Sequence, residues 1–315
     1  MLAGQAADRP NRVSPGPGPL HPSPGPGHQM TVMPHAPLPA CAGIGLRSPH
    51  YEAVLAQRPD VGWFEVHSEN YFAEGGAPAH YLERVRADYP VSFHGVGLSL
   101  GSTDPLDPAH LGRLQALVDR FEPALVSEHL SWSSVDRRFL HDLLPLPHTR
   151  EAVGHVAARI QQVQDCLGRE LLVENISDYL RYDQADFSEW EFLVETARAA
   201  GCGLLLDVNN IYVNACNHGF DAYAYVDAVP PALVKEIHLA GHTVNDIDDG
   251  TKVLIDTHNR PVPAPVWDLY RHALKRLGPR PTLVEWDADL PPLAELVREA
   301  HTAGALLESA GDVPA

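Results

Sequence analysis

Seven His, Glu and Asp residues recur along the chain at a regular interval. His67, His94, Glu128, Glu174, Asp207, His238 and Glu285 are separated by 27, 34, 46, 33, 31 and 47 residues. Each lies at or just beyond the end of a short apolar run. The last long gap adds Asp256 and His258, in the segment IDTHNR. Imidazole with carboxylate is a ligand set for Fe, Mn or Zn, with no thiolate required. Nine such donors exceed what one tetrahedral or octahedral ion needs, so the set points to two or three ions. Four carboxylates crowded together would repel one another and take up protons, and bound cations remove that repulsion.

Each position also has a plainer reading. An acidic residue at a strand end often caps the next helix, and a single His beside a strand often only packs. Seven coincidences in seven successive units are not explained that way. The intervals match the βα unit of a (β/α)8 barrel, about 30 residues, so the donors should meet at one rim. The two long gaps are expected to hold insertions.

The elements that would position these residues are legible after Pro39. The apolar runs AGIGL (42–46), VGWFEV (61–66), PVSFHG (90–95), PALVSE (123–128), ELLVEN (170–175), GLLLDV (203–208), LVKEIHL (233–239) and PTLVEW (281–286) suit strands buried on both faces. Helices are expected between them. Pro49–Gln57 follows Ser48 as N-cap, and Pro108–Phe121 opens on Pro. Thr149–Leu167 repeats Val and Ile at helical spacing, and Ser188–Ala200 carries the capping-box residue Glu191. Further helices are expected at 78–88, 219–228, 263–277 and 290–304. Eight strands alternating with eight helices in about 275 residues predict a TIM barrel. An open doubly wound sheet is the alternative, and no G-x-G-x-x-G follows the first strand to support its dinucleotide-binding form.

Domain organisation follows from composition. Residues 1–40 hold 10 of the 29 Pro and 5 of the 24 Gly, so a disordered tail is expected there; a Pro-rich docking arm is the functional alternative. That segment lacks the continuous apolar core of a secretory signal. It holds all three Met, including Met30 as an alternative start. The catalytic barrel is expected over 41–305 and a short tail over 306–315.

Composition also narrows the function. The chain of 315 residues is 44% hydrophobic, enough for a sizeable core, and its formal net charge is −18. That balance argues against gripping nucleic acid or an anionic membrane through bulk charge. No apolar stretch is long enough to span a bilayer. Cys41, Cys166, Cys202 and Cys216 are widely spaced, so neither a disulfide framework nor a thiolate zinc site is indicated, and a cytoplasmic setting is expected. Cys216 lies close to the expected site, but its packing reading is preferred to a catalytic one. No G-x-S-x-G or Walker motif occurs. The Gly-rich stretch HGVGLSLG (94–101) reads as a tight loop rather than an anion cradle.

Eight segments resemble the multinuclear non-heme iron-dependent oxidative enzymes, the family of the iron enzyme of methanobactin biosynthesis and of relatives that modify cysteines in ribosomally made peptides. They are HSENYF (67–72), SFHGVGLSLGS (92–102), SEHLSW (127–132), LLVENIS (171–177), LLLDVNNIYVNACNHGFD (204–221), EIHLAGHT (236–243), LIDTHNRPV (254–262) and TLVEWD (282–287). The resemblance spans roughly residues 40–300. It implies a xylose isomerase-like TIM barrel with two or three irons at its mouth, as a mixed-valence Fe(II)/Fe(III) centre. By position it carries iron binding onto His67, His94, Glu128, Glu174, Asp207, His238, Asp256, His258 and Glu285. Asn210 stands where related three-metal barrels often place a His, and is a lower-tier ligand; Asn175 stands on the same footing. Glu128, Asp207 and His238 are taken as the catalytic set. Glu69, Asn70, His129, Asn209, Asn214 and His218 are expected around the ligands or against substrate. The implied reaction is oxidation of a substrate cysteine at its β-carbon with O2 as co-substrate. The implied partners are a Cys-containing precursor peptide and a small recognition protein, with no nucleic acid and no membrane.

Two other readings compete. A Zn- or Mn-dependent hydrolase or isomerase, phosphodiesterase- or sugar isomerase-like, could use the same ligands, although a nucleic-acid hydrolase should show a basic rim. A non-enzymatic metal-binding scaffold would not need an open ring of ligands.

Overall fold

The computed structural model describes residues 38–247 and 250–311. By Cα packing the chain separates into 1–34 and 35–315, and every described residue belongs to the second part. The expected disordered tail and docking arm lie, up to residue 37, outside the described residues.

Continuous apolar runs become strands because both of their faces are covered. In chain order these are β1 (Ala42–Gly45), β2 (Phe64–His67), β3 (Val91–Gly95) and β4 (Leu125–His129), then a first hairpin of β5 (Trp132–Val135) and β6 (Arg138–Leu144). After it come β7 (Leu172–Glu174), β8 (Gly203–Asp207) and β9 (Val234–Leu239), a second hairpin of β10 (Thr243–Asp246) and β11 (Lys252–Ile255), and β12 (Thr282–Val284). Eight of these strands close a parallel barrel in the order β1-β12-β9-β8-β7-β4-β3-β2. The expected TIM barrel is therefore observed, and the open sheet is not. The two hairpins occupy the two long gaps, where insertions were expected.

The helices follow the caps written in the sequence. They are α1 (Tyr51–Gln57), α2 (Ala77–Asp88), α3 (Pro108–Phe121), α4 (Arg150–Leu167), α5 (Glu189–Ala200), α6 (Val208–His218), α7 (Ala222–Ala228), α8 (Ala264–Leu277) and α9 (Leu293–Gly311). Asp107 and Thr149 accept from backbone N–H groups at the starts of α3 and α4, and Ser188 with Glu191 forms a capping box on α5. Their apolar stripes pack on the sheet: Leu114, Leu117 and Val118 of α3, and Val156, Ile160 and Val163 of α4, are buried.

Three boundaries differ from the sequence reading. Helix α6 follows β8 without a loop. Its run VNNIYVNACNH carries four Asn, poor helix formers in isolation, yet Val208, Ile211 and Ala215 bury one face and Val213 is buried as well. Helix α9 continues to Gly311 with Leu307 buried in the core, so the tail expected from 306 begins as helix. Leu38 packs against Trp63 and Leu283 and belongs to the fold, not to the tail expected up to residue 40.

Candidate metal centre

In a barrel strand alternate side chains face the interior. The register places His67 beside His94, His129 beside Glu174, and Asp207 beside His238. These residues share one parity with the buried pairs below them, Glu65 on β2 and Glu236 on β9. The donors of different strands therefore rise into one space at the mouth. It is a cavity of about 440 Å³ lined by His67, His94, His129, Glu174, Asp256, His258 and Glu285 among others.

The donor atoms form a chain of overlapping groups. Nε2 of His94 lies 3.2 Å from Nε2 of His129 and 3.2 Å from Oε2 of Glu174, and His129 Nε2 lies 3.3 Å from that oxygen. Metal bonds of about 2.1 Å at tetrahedral or octahedral angles put neighbouring ligand atoms roughly 3.0–3.4 Å apart, so this triad has the spacing of a closed ligand set. The rings are held from behind: His129 Nδ1 donates to the Gly95 carbonyl at 3.0 Å, and His94 Nδ1 pairs with Ser127 Oγ at 2.8 Å. The other oxygen of Glu174 faces Nδ1 of His238 at 3.6 Å, and that nitrogen lies 3.2 Å from Oε2 of Glu285. Glu285 continues to His258 Nδ1 at 3.5 Å and, through Oε1, to His67 Nε2 at 3.5 Å. Close triads of ligand atoms comprise His94, His129, Glu174; Glu174, Asp207, His238; and Asp207, His258, Glu285. Two further triads are His67, Glu285, Asp287 and Glu65, His238, Glu285.

Buried atoms without hydrogen bonds converge here: Oε2 of Glu174, Oδ2 of Asp207, Oδ1 of Asn210, both ring nitrogens of His238 and Nε2 of His258. A buried polar atom left unpaired is costly, and a cation among them supplies the missing partner. Electrostatics agree. Burial pushes the Glu174 carboxyl up to about 8, with Asp207 and Glu285 adding to the rise. Burial and then Asp256 push Asp207 up to about 7. Against burial, Glu174 and Glu128 lift His129 to about 9. His94 goes the other way, lowered well below the usual range by burial and by His129 and His238. These residues fit a multivalent cation better than they fit one another.

Asp207 caps a helix and is still placed within donor triads. Its Oδ1 accepts from the Asn210 N–H at 2.7 Å and starts α6, while the buried Oδ2 has no hydrogen-bond partner. Asn210 Nδ2 donates to the Asn175 carbonyl at 3.0 Å, which leaves its Oδ1 as the free donor. Asp256 lines the cavity, with Oδ1 2.7 Å from His258 Nε2. Its two oxygens also accept from Asn209 Nδ2 at 2.7 Å and Ser177 Oγ at 3.2 Å.

Two expected ligands sit elsewhere. Glu128 has the wrong parity: Ser127 and His129 face the interior, and Glu128 does not. Its Oε2 accepts from the Leu98 N–H at 3.0 Å and its Oε1 from the His129 N–H at 2.9 Å. A Cβ on Gly95 would lie 2.6 Å from that carboxylate, so any larger residue there would have to displace it. Glu128 accordingly joins none of the donor triads among the described residues. Asn175 is spent on the backbone of Asp207, donating to its carbonyl and accepting from its N–H, both at 2.9 Å.

Other expected neighbours hold loops. Glu69 accepts from the Val96 N–H at 3.1 Å, so Glu69 and Glu128 between them take two N–H groups of the Gly-rich stretch, in keeping with a tight loop. Asn70 is exposed. Asn214 fixes the loop after β7 through the Asp178 N–H at 2.8 Å and the Ile176 carbonyl at 2.9 Å, and His218 pairs with Asp178. Asn209 accepts from His242 Nδ1 at 2.8 Å while steering Asp256.

The sequence reading does not place His129 among the ligands and omits Asp287, Glu65 and Arg47 from the site. Parity finds Asp287 and Glu65, each two residues from an expected donor in the same run, and His129 adjoins the expected Glu128. Arg47 gives no such signal. Its guanidinium bonds Asp287 Oδ1 through Nε at 2.9 Å and His67 Nε2 through Nη2 at 3.0 Å. A guanidinium only donates, so His67 Nε2 accepts there.

Comparison with known proteins places this geometry. The family model described as RiPP precursor modification enzyme MbnB/TglH/ChrH matches residues 41–308. The chain belongs to the RiPP precursor modification enzyme family. Within it, a UPF0276 protein of Anaeromyxobacter sp. (strain Fw109-5) is 52% identical over 261 residues, 83% of this chain and 90% of the relative. A UPF0276 protein of Vibrio parahaemolyticus is 47% identical over 275 residues, 87% of this chain and 95% of the relative. Solved structures share the fold alone. The D-psicose 3-epimerase of Clostridium cellulolyticum H10 superposes with TM-score 0.57 at 10% identity, covering 87% of this chain and all of that one. Endonuclease IV of Thermus thermophilus gives 0.55 at 16% identity, covering 85% and 99%. Membership makes this chain an enzyme that modifies a ribosomally made precursor peptide. No helix among the described residues is long and apolar enough to cross a membrane.

Proposed function

We propose that the chain is a multinuclear iron- and O2-dependent oxidase that modifies cysteine residues of its precursor peptide, with a small recognition protein as a further partner. The observation that carries this reading is the sharing of carboxylates. Glu174, Asp207 and Glu285 each belong to more than one donor triad, and a carboxylate so shared would serve more than one ion. A single-metal hydrolase or isomerase has no need of such a run. The donors are imidazole and carboxylate throughout, which suits iron.

The residues that would hold the metals are His94, His129 and Glu174; Glu174, Asp207 and His238; and Asp207, His258 and Glu285, with Asn210 at the edge of the second group. Iron bound there supplies one-electron chemistry with dioxygen and a Lewis-acid seat for a thiolate. The protein's own part is to hold these donors in place. Ser127 and the Gly95 carbonyl fix the rings of His94 and His129, and Asn209 holds Asp256 against His258. Arg47 engages Asp287 and His67 at the wall of the same space. Leu143, Ile176 and Ile255 give the cavity apolar wall, which limits water around a bound thiol.

The test is oxygen uptake by anaerobically reconstituted enzyme on addition of a Cys-bearing precursor peptide, with the peptide's mass read afterwards. Uptake coupled to a mass change at cysteine is expected. Zinc-loaded protein that hydrolyses or isomerises a substrate, with iron-loaded protein inert to oxygen, would overturn the reading.

A further inference from the structure

All the large apolar side chains exposed among the described residues except Tyr223 lie on three segments that also give residues to the cavity wall. These are the β5–β6 hairpin with Phe139 and Leu140, the loop after β7 with Tyr179, Leu180 and Tyr182, and the β10–β11 hairpin with the turn that follows β10. Exposed apolar groups scattered singly are ordinary, but a concentration around one opening marks a binding surface.

Strand β6 joins that surface to the metal centre. Its ladder with β5 loses register between the Ser134–Phe139 and Trp132–Leu144 pairs, setting residues 140–143 of β6 against Ser133 alone. Bulges of this kind re-aim side chains beside active sites. Here the bulged residues His141, Asp142 and Leu143 line the cavity, while Phe139 just before them is 67% exposed. The loop after β7 is pinned alongside. Tyr182 Oη donates to the Pro145 carbonyl at 3.0 Å, Tyr179 Oη accepts from the Asp256 N–H at 3.0 Å, and Leu180 between them is 57% exposed.

We propose that β6, with residues 179–182 beside it, is the strip on which the precursor peptide docks as an added extended strand, with an apolar side chain of the peptide against Phe139, Leu140 and Leu180 and its cysteine in the cavity. Family membership supplies the peptide; the position of its cysteine rests on the oxidase reading above. An extended chain is the occupant the shape favours. β6 runs from open surface into the cavity wall within a few residues, and a strand laid along it follows the same path. A folded partner meets only the outer part. Strand addition takes its affinity from backbone hydrogen bonds and its selectivity from alternate side chains. At about 3.4 Å per residue, the span from Phe139 to the cavity-lining residues sets the peptide's apolar anchor within about four positions of the cysteine.

The test is selection of short random peptides, each with one central cysteine, on the anaerobic iron-loaded full-length protein. Leu, Ile, Phe or Tyr should be enriched within about four positions of the cysteine. The pair Phe139→Ser with Leu180→Ser should abolish that enrichment and weaken a selected peptide about tenfold, with iron content unchanged. Tyr223→Ser, away from the opening, should change neither. A library with serine in place of cysteine that selects equally well, still with the apolar anchor, would support the strip and count against the cysteine reading. Unchanged enrichment and affinity in the double variant would overturn the strip.

Discussion

Glu174 faces His94 with one oxygen and His238 with the other: Oε2 lies 3.2 Å from His94 Nε2, and Oε1 lies 3.6 Å from His238 Nδ1. A carboxylate so placed couples two donor groups. Glu174→Gln keeps the shape and removes the charge. Metal analysis should show at least one ion fewer per chain, and peptide turnover should fall by about 100-fold or more. Wild-type metal content in the variant would remove Glu174 from the centre.

Parity along β4 separates two neighbours. His129→Ala should lower bound metal, since Nε2 of His129 joins His94 and Glu174. Glu128→Ala should leave the metal content as it is and instead loosen the loop whose Leu98 N–H the carboxylate accepts. Hydrogen exchange around 96–98 would show that loosening, and elemental analysis the contrast in metal.

Asp207 caps α6 with Oδ1 and keeps Oδ2 buried without a hydrogen-bond partner. Asp207→Asn retains an oxygen for the cap and should lose metal with little change in stability of the metal-free protein. Asp207→Ala loses both, and should cost about 1 kcal/mol more in denaturant unfolding for the missing cap. Equal stability of the two variants would show that the cap carries no weight.

What could be read in advance, and what could not, follows from how each feature is encoded. The barrel strands are legible because runs such as GLLLDV are apolar on both faces, and β8 indeed spans Gly203–Asp207. Seven of the nine principal ligand candidates enter the donor triads, most of them because strand period fixes where they rise. Side-chain type points to Glu128, but strand alternation brings His129 into the donor triad instead. The hairpins leave no such mark because DRRFLHD has no buried face, and α6 leaves none because its Asn-rich run becomes helical only through packing. Arg47 is bound to the site through contacts 20 and 240 residues away along the chain, which no local pattern records.

Stability and metal uptake should both depend on pH. Glu174 at about 8 and Asp207 at about 7 are raised by burial above their ordinary range. At these two positions the folded metal-free protein binds more protons than the unfolded chain between about pH 4 and pH 8, and they make stability fall as pH rises through that window. Metal binding displaces the same protons, so affinity should rise over the upper part of it. Calorimetry of stripped and loaded protein at pH 6 and pH 8 should show the gap in Tm widening with pH. A gap that narrows would contradict the assignment of these carboxyls to the metals.

Leu307 tests the end of the fold. It is buried on α9 beyond the boundary expected at residue 305. Leu307→Ala should destabilise the protein by about 2–4 kcal/mol in denaturant unfolding, whereas a residue in a solvated tail would show no effect.

The central claim is a cage for several ions built from shared carboxylates. Anaerobic titration of metal-stripped full-length protein with Fe(II), read by elemental analysis after desalting, measures it directly. Two or three tightly held irons per chain are expected. Retention of one iron or none would contradict the claim.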